Sequence, residues 1–289
     1  MKERDIFIGS MFGLLAALSY TIMATLVKLS PEVRIEAVVF FRNVVSMIIL
    51  LPFLLKKKIS LKTKRFKLHT FRAVVGMLGL YAYFYAVRNL PLVNAILLAN
   101  TSPLFIPLVV LLWIKSKIPK RRMVFLGLGF LGVALILEPN LHFPLVPSII
   151  GLSAGLFVAI AMVSVRLLSK TEKTESILFY FFIFSIIISF FPMVFTWEPF
   201  SEKMWIYILG VGVAATFFQF FITKAYTYIP ATQAGCLMYM SIVFGGILGF
   251  FLFDTIPKIT ILLGAFLVIL GGILTLLDKK GRIIPSKKS

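Results

Sequence analysis

Polar side chains inside long apolar segments are the residues of this sequence whose types could do chemistry. Such groups are costly in a bilayer and usually face the interior of a helix bundle. Asn100, Gln219 and Tyr239 lie near mid-segment and could form hydrogen bonds with a small polar molecule in a central cavity. The aromatic side chains that would line the same cavity are Tyr20, Tyr81 and Tyr85, the last two sharing one helix face. The alternative is that these groups bond across helix interfaces and only hold the bundle together.

Arg42 is the charged residue of most interest, about two turns into an apolar segment. Its guanidinium could bind a carboxylate or phosphate, which makes it a candidate binding residue. We expect the other arrangement, in which Arg42 snorkels outward or pairs with a neighbour such as Glu36. Arg72 and Lys224 lie near segment ends, and we expect both to snorkel to the membrane surface.

The remaining residue types argue against a membrane enzyme and against a proton relay. Every acidic residue falls in a predicted loop or at a helix end, and His69 and His142 fall in predicted loops. The sequence has no H-E-x-x-H motif, no cluster of metal-ligating acids and one cysteine, Cys236. We therefore expect no metal or cofactor, and exchange or facilitated movement of a substrate instead of coupling through a buried acid.

The composition requires these residues to be positioned by membrane-spanning helices. Apolar residues make up 60% of the 289 residues, charged residues 14%, and the mean hydropathy is +1.01. A soluble domain has about 45–50% apolar and about 25% charged residues, so a soluble enzyme, a disordered chain and a disulfide scaffold are excluded. The net charge of +19 lies mostly in short loops, which favours contact with anionic lipid over nucleic acid.

Ten apolar segments are long enough to be read as spans, the fifth being short. Lys and Arg concentrate in alternate loops, which places both termini in the cytoplasm. We expect a multi-pass protein of a bacterial cytoplasmic membrane, a monomer or homodimer with anionic lipids at its cytoplasmic face. The predicted spans are 6–28, 36–55, 70–88, 91–113, 123–137, 147–168, 176–196, 204–228, 231–253 and 259–277.

The sequence also repeats itself at a shift of 138–139 residues. The segment from Gly13 resembles the one from Gly151, and the segment from Pro91 resembles the one from Pro230, so that Asn100 and Tyr239 are equivalent. Five spans per repeat is an odd number, so the second copy must cross the membrane in the opposite sense. Inverted repeats are typical of secondary transporters, whose substrate site lies at the repeat interface. We predict a first repeat over 1–140 and a second over 141–289, together one transmembrane domain.

Four stretches resemble the drug/metabolite transporter superfamily, specifically its EamA-type proteins. They are VVFFRNVVSMIILLPF around Arg42, YFYAVRNLPLVNAILLANTSPLF from Tyr83, KAYTYIPATQAG from Lys224 and LLGAFLVILGGIL from Leu262. The resemblance implies an all-α membrane protein with ten transmembrane helices in two inverted five-helix repeats. It also implies a small organic substrate, an amino acid or a nucleotide-like compound. The S-adenosylmethionine transporters of intracellular bacteria are an alternative, and an intramembrane enzyme is the alternative from another class.

Overall fold

The computed structural model describes residues 3–56, 61–114, 120–137, 144–168, 171–229 and 237–277. Regular structure within these ranges is entirely helical, as the all-α prediction requires. Its eleven helices are α1 (Glu3–Lys28), α2 (Ile35–Lys56), α3 (Phe66–Asn89), α4 (Leu92–Ala99), α5 (Ser102–Ile114), α6 (Lys120–Leu137), α7 (Leu145–Leu168), α8 (Thr174–Phe195), α9 (Lys203–Tyr228), α10 (Met240–Phe253) and α11 (Ile259–Leu277).

The apolar helices coincide with the predicted spans. Seven described segments have the length and composition to cross a membrane, and three shorter apolar helices, Met123–Ile136, Met240–Phe253 and Ile259–Leu274, lie in the other predicted spans. The all-α membrane fold is therefore confirmed, and seven of the ten predicted spans are long and apolar enough to cross a membrane. Residues 230–236, at the start of the ninth predicted span, lie outside the described residues.

The fourth predicted span consists of two helices, because the chain turns at Asn100 and Thr101 between α4 and α5. Proline has no backbone N–H, so Pro103 cannot donate to the carbonyl of Ala99 as a continuing helix would require. The amide of Leu104 bonds instead to the Thr101 carbonyl, three residues back, at 2.9 Å. The second repeat also has a turn at the equivalent place, Tyr239, where α10 begins.

The helices of the two predicted repeats are interleaved. The first helix of each repeat packs on the third helix of the other, α1 on α9 and α7 on α3, while α2 pairs with α8, α4 with α10 and α6 with α11. Two glycines show the same reciprocal packing between the repeats. A Cβ at Gly13 would meet Leu237, and a Cβ at the equivalent Gly151 would meet Leu98, the residue equivalent to Leu237. Such reciprocal contacts are those that two inverted copies of one unit make.

Cationic side chains form hydrogen bonds between the C-terminal ends of α1 and α3. The Lys28 ammonium donates to the carbonyl of Val87 at 3.1 Å and also to that of Leu90. Arg88 of α3 donates a hydrogen bond from Nη2 to the Ser30 carbonyl at 2.8 Å. A helix C-terminus carries partial negative charge and unpaired carbonyls, so cations near helix ends are favourably placed.

Candidate functional site

The two helix turns lie where the repeats meet. Asn100, at the C-terminal end of α4, donates from Nδ2 to the Ile96 carbonyl at 2.8 Å and to Oγ of Ser241 at 3.1 Å. Ser241 lies in the first turn of α10, and its carbonyl accepts a bond from the Thr21 hydroxyl of α1 at 3.2 Å. We call Thr21, Asn100 and Ser241 the junction. It joins the turns of both repeats through polar groups about halfway along their segments.

An aromatic stack lies beside the junction. The ring of Tyr20, next to Thr21 on α1, stacks on Tyr83 of α3 with centroids 5.0 Å apart and planes at 12°. On another side it meets Phe218 of α9 at 5.2 Å. The Tyr83 ring is buried. These three rings, which we call the aromatic stack, place flat apolar surface and phenolic hydroxyls at the meeting of both repeats.

The sequence did not single out Tyr83, although a signal was present. Gly79 and Ala86, four residues before it and three after it, share its face of α3. Both pack closely on α7, since a Cβ at Gly79 would lie 3.1 Å from Phe157 and a Cβ at Gly151 would lie 3.0 Å from Ala86. An aromatic residue between two small residues at helical spacing thus marked the buried face of this helix.

Arg42 does not snorkel outward, so our expectation for it was wrong. The residue is 3% exposed, and its Nη1 donates to Oδ1 of Asn43 at 2.9 Å. Glu36 pairs with Arg34 instead, at 3.7 Å. The Arg42 guanidinium lies within electrostatic range of the Tyr20 hydroxyl. Its helix, α2, packs on both α8 and α9.

Our expectation that Arg72 snorkels to the membrane surface was wrong as well, because its side chain is buried between helices. It is 8% exposed, and its guanidinium lies over the ring of Phe181 on α8, with Cζ 3.6 Å from the ring centroid. Arg42 and Arg72 lie close enough for their charges to repel each other. The structure thus places the buried arginines of α2 and α3 within electrostatic range of each other.

The remaining predicted site residues lie apart from one another. Tyr81 and Tyr85 are half-buried on a face of α3 other than that of Tyr83, and Tyr81 interacts electrostatically with Glu36 near the start of α2. Gln219 is half-buried on α9, adjacent in sequence to Phe218. Tyr239 is 4% exposed and packs so closely on α11 that a Cβ at Gly272 would overlap its hydroxyl. The structure therefore brings Tyr20 and Arg42 together, and Asn100 close to α10.

His69 was expected in a loop but lies in the first turn of α3. It is 1% exposed, and its ring is 4.4 Å from that of Tyr180 on α8. This imidazole is therefore near the N-terminal end of α3, about a turn from Arg72, and not at mid-helix. His142 lies outside the described residues. Within the described ranges, no three His, Cys, Asp or Glu side chains come together as metal ligands.

The comparisons with known proteins agree that the chain is similar to transporters. The EamA-like transporter family matches residues 7–138 and again 146–277. The chain is 28% identical to the pseudopaline exporter CntI of Pseudomonas aeruginosa (strain UCBPP-PA14), over 94% of this chain and 97% of that protein. It is 27% identical to the S-adenosylmethionine uptake transporter of Rickettsia felis, over 80% of this chain and 79% of the relative.

A solved structure agrees with the fold. A crystal structure of a protein superposes with a TM-score of 0.65 at 14% identity, covering 92% of this chain and 95% of that chain. At this identity the likeness concerns the arrangement of helices alone.

Proposed function

Because the chain belongs to the EamA-like transporter family, we propose that it carries a small organic metabolite across a bacterial cytoplasmic membrane by alternating access. Family membership makes it an integral multi-pass membrane protein and a small-molecule transporter, not an enzyme. The proposal adds that the substrate is an amino acid or a nucleotide-like compound. It also places both termini in the cytoplasm, with anionic lipids at that face and a monomer or homodimer as the transporting unit.

One observation carries the mechanism: the turn in α4–α5 and the start of α10 are joined by the Asn100–Ser241 hydrogen bond. Interrupted helices at the interface of inverted repeats are typical places for a transporter's substrate. Non-helical backbone at membrane depth is tolerated where it is buried in protein or lines a water-filled cavity. The Asn100–Ser241 bond spans the two repeats, so relative movement of the repeats would break it and release an amide and a hydroxyl for a substrate.

The aromatic stack favours a substrate with a flat or apolar part. Tyr20, Tyr83 and Phe218 come from helices of both repeats and surround a place next to Thr21. Stacking on such rings suits an aromatic amino acid and an adenine ring equally well. Uptake of S-adenosylmethionine is therefore the second candidate function, supported by this stack and by the 27% identical Rickettsia relative.

Exchange or facilitated movement is the mode of transport that the acidic residues favour. Those of the described helices lie in first turns, as Glu36 and Glu175 do, and Asp254 caps the end of α10. None of the described carboxylates is therefore at the level of the junction, where proton-coupled carriers usually hold one. His69 is the described histidine, and it lies in the first turn of α3 instead of at mid-helix.

Purified protein in liposomes tests the proposal. The liposomes are loaded with an isotope-labelled extract of bacterial metabolites, and labelled compounds released into buffer or into unlabelled extract are identified by mass spectrometry. We expect a small set of compounds to leave faster than from protein-free liposomes, and faster still into extract if transport is exchange. Release that needs a pH gradient at constant voltage would contradict the proposed mode. Release no faster than from protein-free liposomes would contradict the function itself.

A further inference from the structure

Two arginines are buried together in the helix bundle without an acidic partner among the described residues. Arg42 and Arg72 are 3% and 8% exposed, and their like charges lie within electrostatic reach of each other. Arg34, by contrast, lies near the end of the bundle and pairs with both Glu36 and Glu198. Burying an unpaired charge is strongly unfavourable, and placing a second one near it increases the cost.

Both guanidinium groups also keep N–H donors without acceptors. Nε of Arg42 and both Nε and Nη1 of Arg72 have no hydrogen-bond partner among the described residues. Arginine has five N–H donors in a planar fork, which matches carboxylate and phosphate oxygens. The N–H groups without acceptors are therefore suited to donate hydrogen bonds to an anion.

Asn43 fixes the direction of the Arg42 fork. Its Nδ2 donates to the Val39 carbonyl at 2.8 Å, so its Oδ1 is turned to accept from Nη1 of Arg42 at 2.9 Å. Arg72 is held differently, by the face of the Phe181 ring. A cation–π contact leaves the in-plane N–H groups free to donate, and it contributes less than the cost of burying the charge.

We propose that Arg42 and Arg72 together bind an anionic group of the transported molecule, a carboxylate or a phosphate, between α2, α3 and α8. This inference rests on the proposed transport function and narrows its substrate to one with at least one negative charge. Phe181 belongs to α8 of the second repeat and covers Arg72 of the first. Movement of α8 away from α3 would uncover the guanidinium, and binding of the anion would offset the repulsion between the two cations.

Thermal unfolding of the detergent-solubilised protein tests the inference with two probes, citrate for carboxylates and inorganic phosphate for phosphates. Each is compared with chloride at equal ionic strength. Because both ions also stabilise proteins by exclusion from their surface, the readout is the shift in the wild type minus the shift in an Arg42→Gln, Arg72→Gln double variant. We expect at least one probe to raise the Tm of the wild type by about 3 °C more than that of the double variant.

Arg34→Gln is the matched control, since it removes an exposed arginine by the same substitution. We expect Arg34→Gln to keep the full shift of the wild type. Citrate alone giving the excess would assign a carboxylate, and phosphate alone a phosphate. If the double variant does not fold, the single Arg42→Lys and Arg72→Lys variants replace it, because lysine keeps the charge but loses the fork and should reduce the shift.

One result would overturn the inference: for both probes, a Tm shift of the wild type that is no larger than the shift of the arginine variants. Failure of the transport function is separately visible. In the liposome assay, loss of release by the wild type contradicts the function, whereas undiminished release of an anion by the arginine variants contradicts the arginine site alone.

Discussion

At the residue scale, the chemistry of the predicted site depends on where side chains point. The position of Asn100 inside the bundle could be predicted, because a polar residue near the middle of an apolar segment is visible in the sequence. The burial of the Arg42 and Arg72 side chains could not be predicted. It depends on their contacts with Asn43 and Phe181 and on the packing of helices that are distant in sequence. Snorkelling is available only to a side chain with a free path to the surface.

The Tyr20–Tyr83 stack gives a prediction about stability. Tyr20→Leu removes the ring pair, and we expect a loss of about 0.5–1.5 kcal/mol beyond the loss of buried area. Tyr20→Phe keeps the ring and is the control, with a smaller loss expected. Thermal unfolding in detergent measures both. Equal Tm values for the two variants would show that the stack does not contribute as described.

At the element scale, the apolar pattern predicts the helices, whereas the pairing of helices depends on where small residues allow close contact. The pairing of α6 with α11 is an example. A Cβ at Gly271 would lie 2.7 Å from the backbone nitrogen of Gly129 and from the carbonyl oxygen of Phe125. The sequence showed the glycines but not which face meets which, because that is a property of two elements together.

Gly271→Ala should therefore separate α6 and α11. The obstacles are backbone atoms that cannot rotate away, so we expect a destabilisation of about 1–3 kcal/mol. Gly127→Ala is the control on α6, since a Cβ there meets nothing within 4 Å and alanine favours a helix. The measurement is the Tm of each purified variant. A Gly271→Ala protein as stable as Gly127→Ala would contradict the described helix contact.

The contacts of Lys28 give another prediction at this scale. Lys28→Met removes the donor that satisfies the carbonyls of Val87 and Leu90 at the end of α3. A hydrogen bond to a charged group contributes about 1.5–3 kcal/mol, and we expect a loss in that range. Lys203→Met replaces an exposed lysine and should cost much less. If both substitutions lower the Tm equally, the contact between α1 and α3 is not stabilising.

At the scale of the whole molecule, the repeat in the sequence predicted the architecture best. The shared shift relates Gly13 to Gly151 and Leu98 to Leu237, and the structure makes the reciprocal contacts between them. The orientation in the membrane is a prediction from the loop charges. It requires Glu32 to lie outside the cell and Lys64 inside.

Cysteine labelling tests that orientation. In a Cys236→Ala background, we expect Glu32→Cys to react in intact cells with a thiol reagent that does not cross membranes. Lys64→Cys should react only after permeabilisation. The opposite pattern would reverse the topology, and reaction of both positions in intact cells would contradict an odd number of spans between them.

The central claim is that a metabolite crosses at the junction of the two repeats, where Asn100 contacts Ser241. Its most direct test is untargeted metabolomics of cells and medium, comparing wild type with Asn100→Ala at matched membrane levels. Asn89→Ala is the control, since Asn89 makes the same bond to a carbonyl four residues back but is exposed and at a helix end. The account predicts redistribution of a metabolite by the wild type and by Asn89→Ala, and about tenfold less by Asn100→Ala. Equal redistribution by Asn100→Ala and the wild type would contradict it.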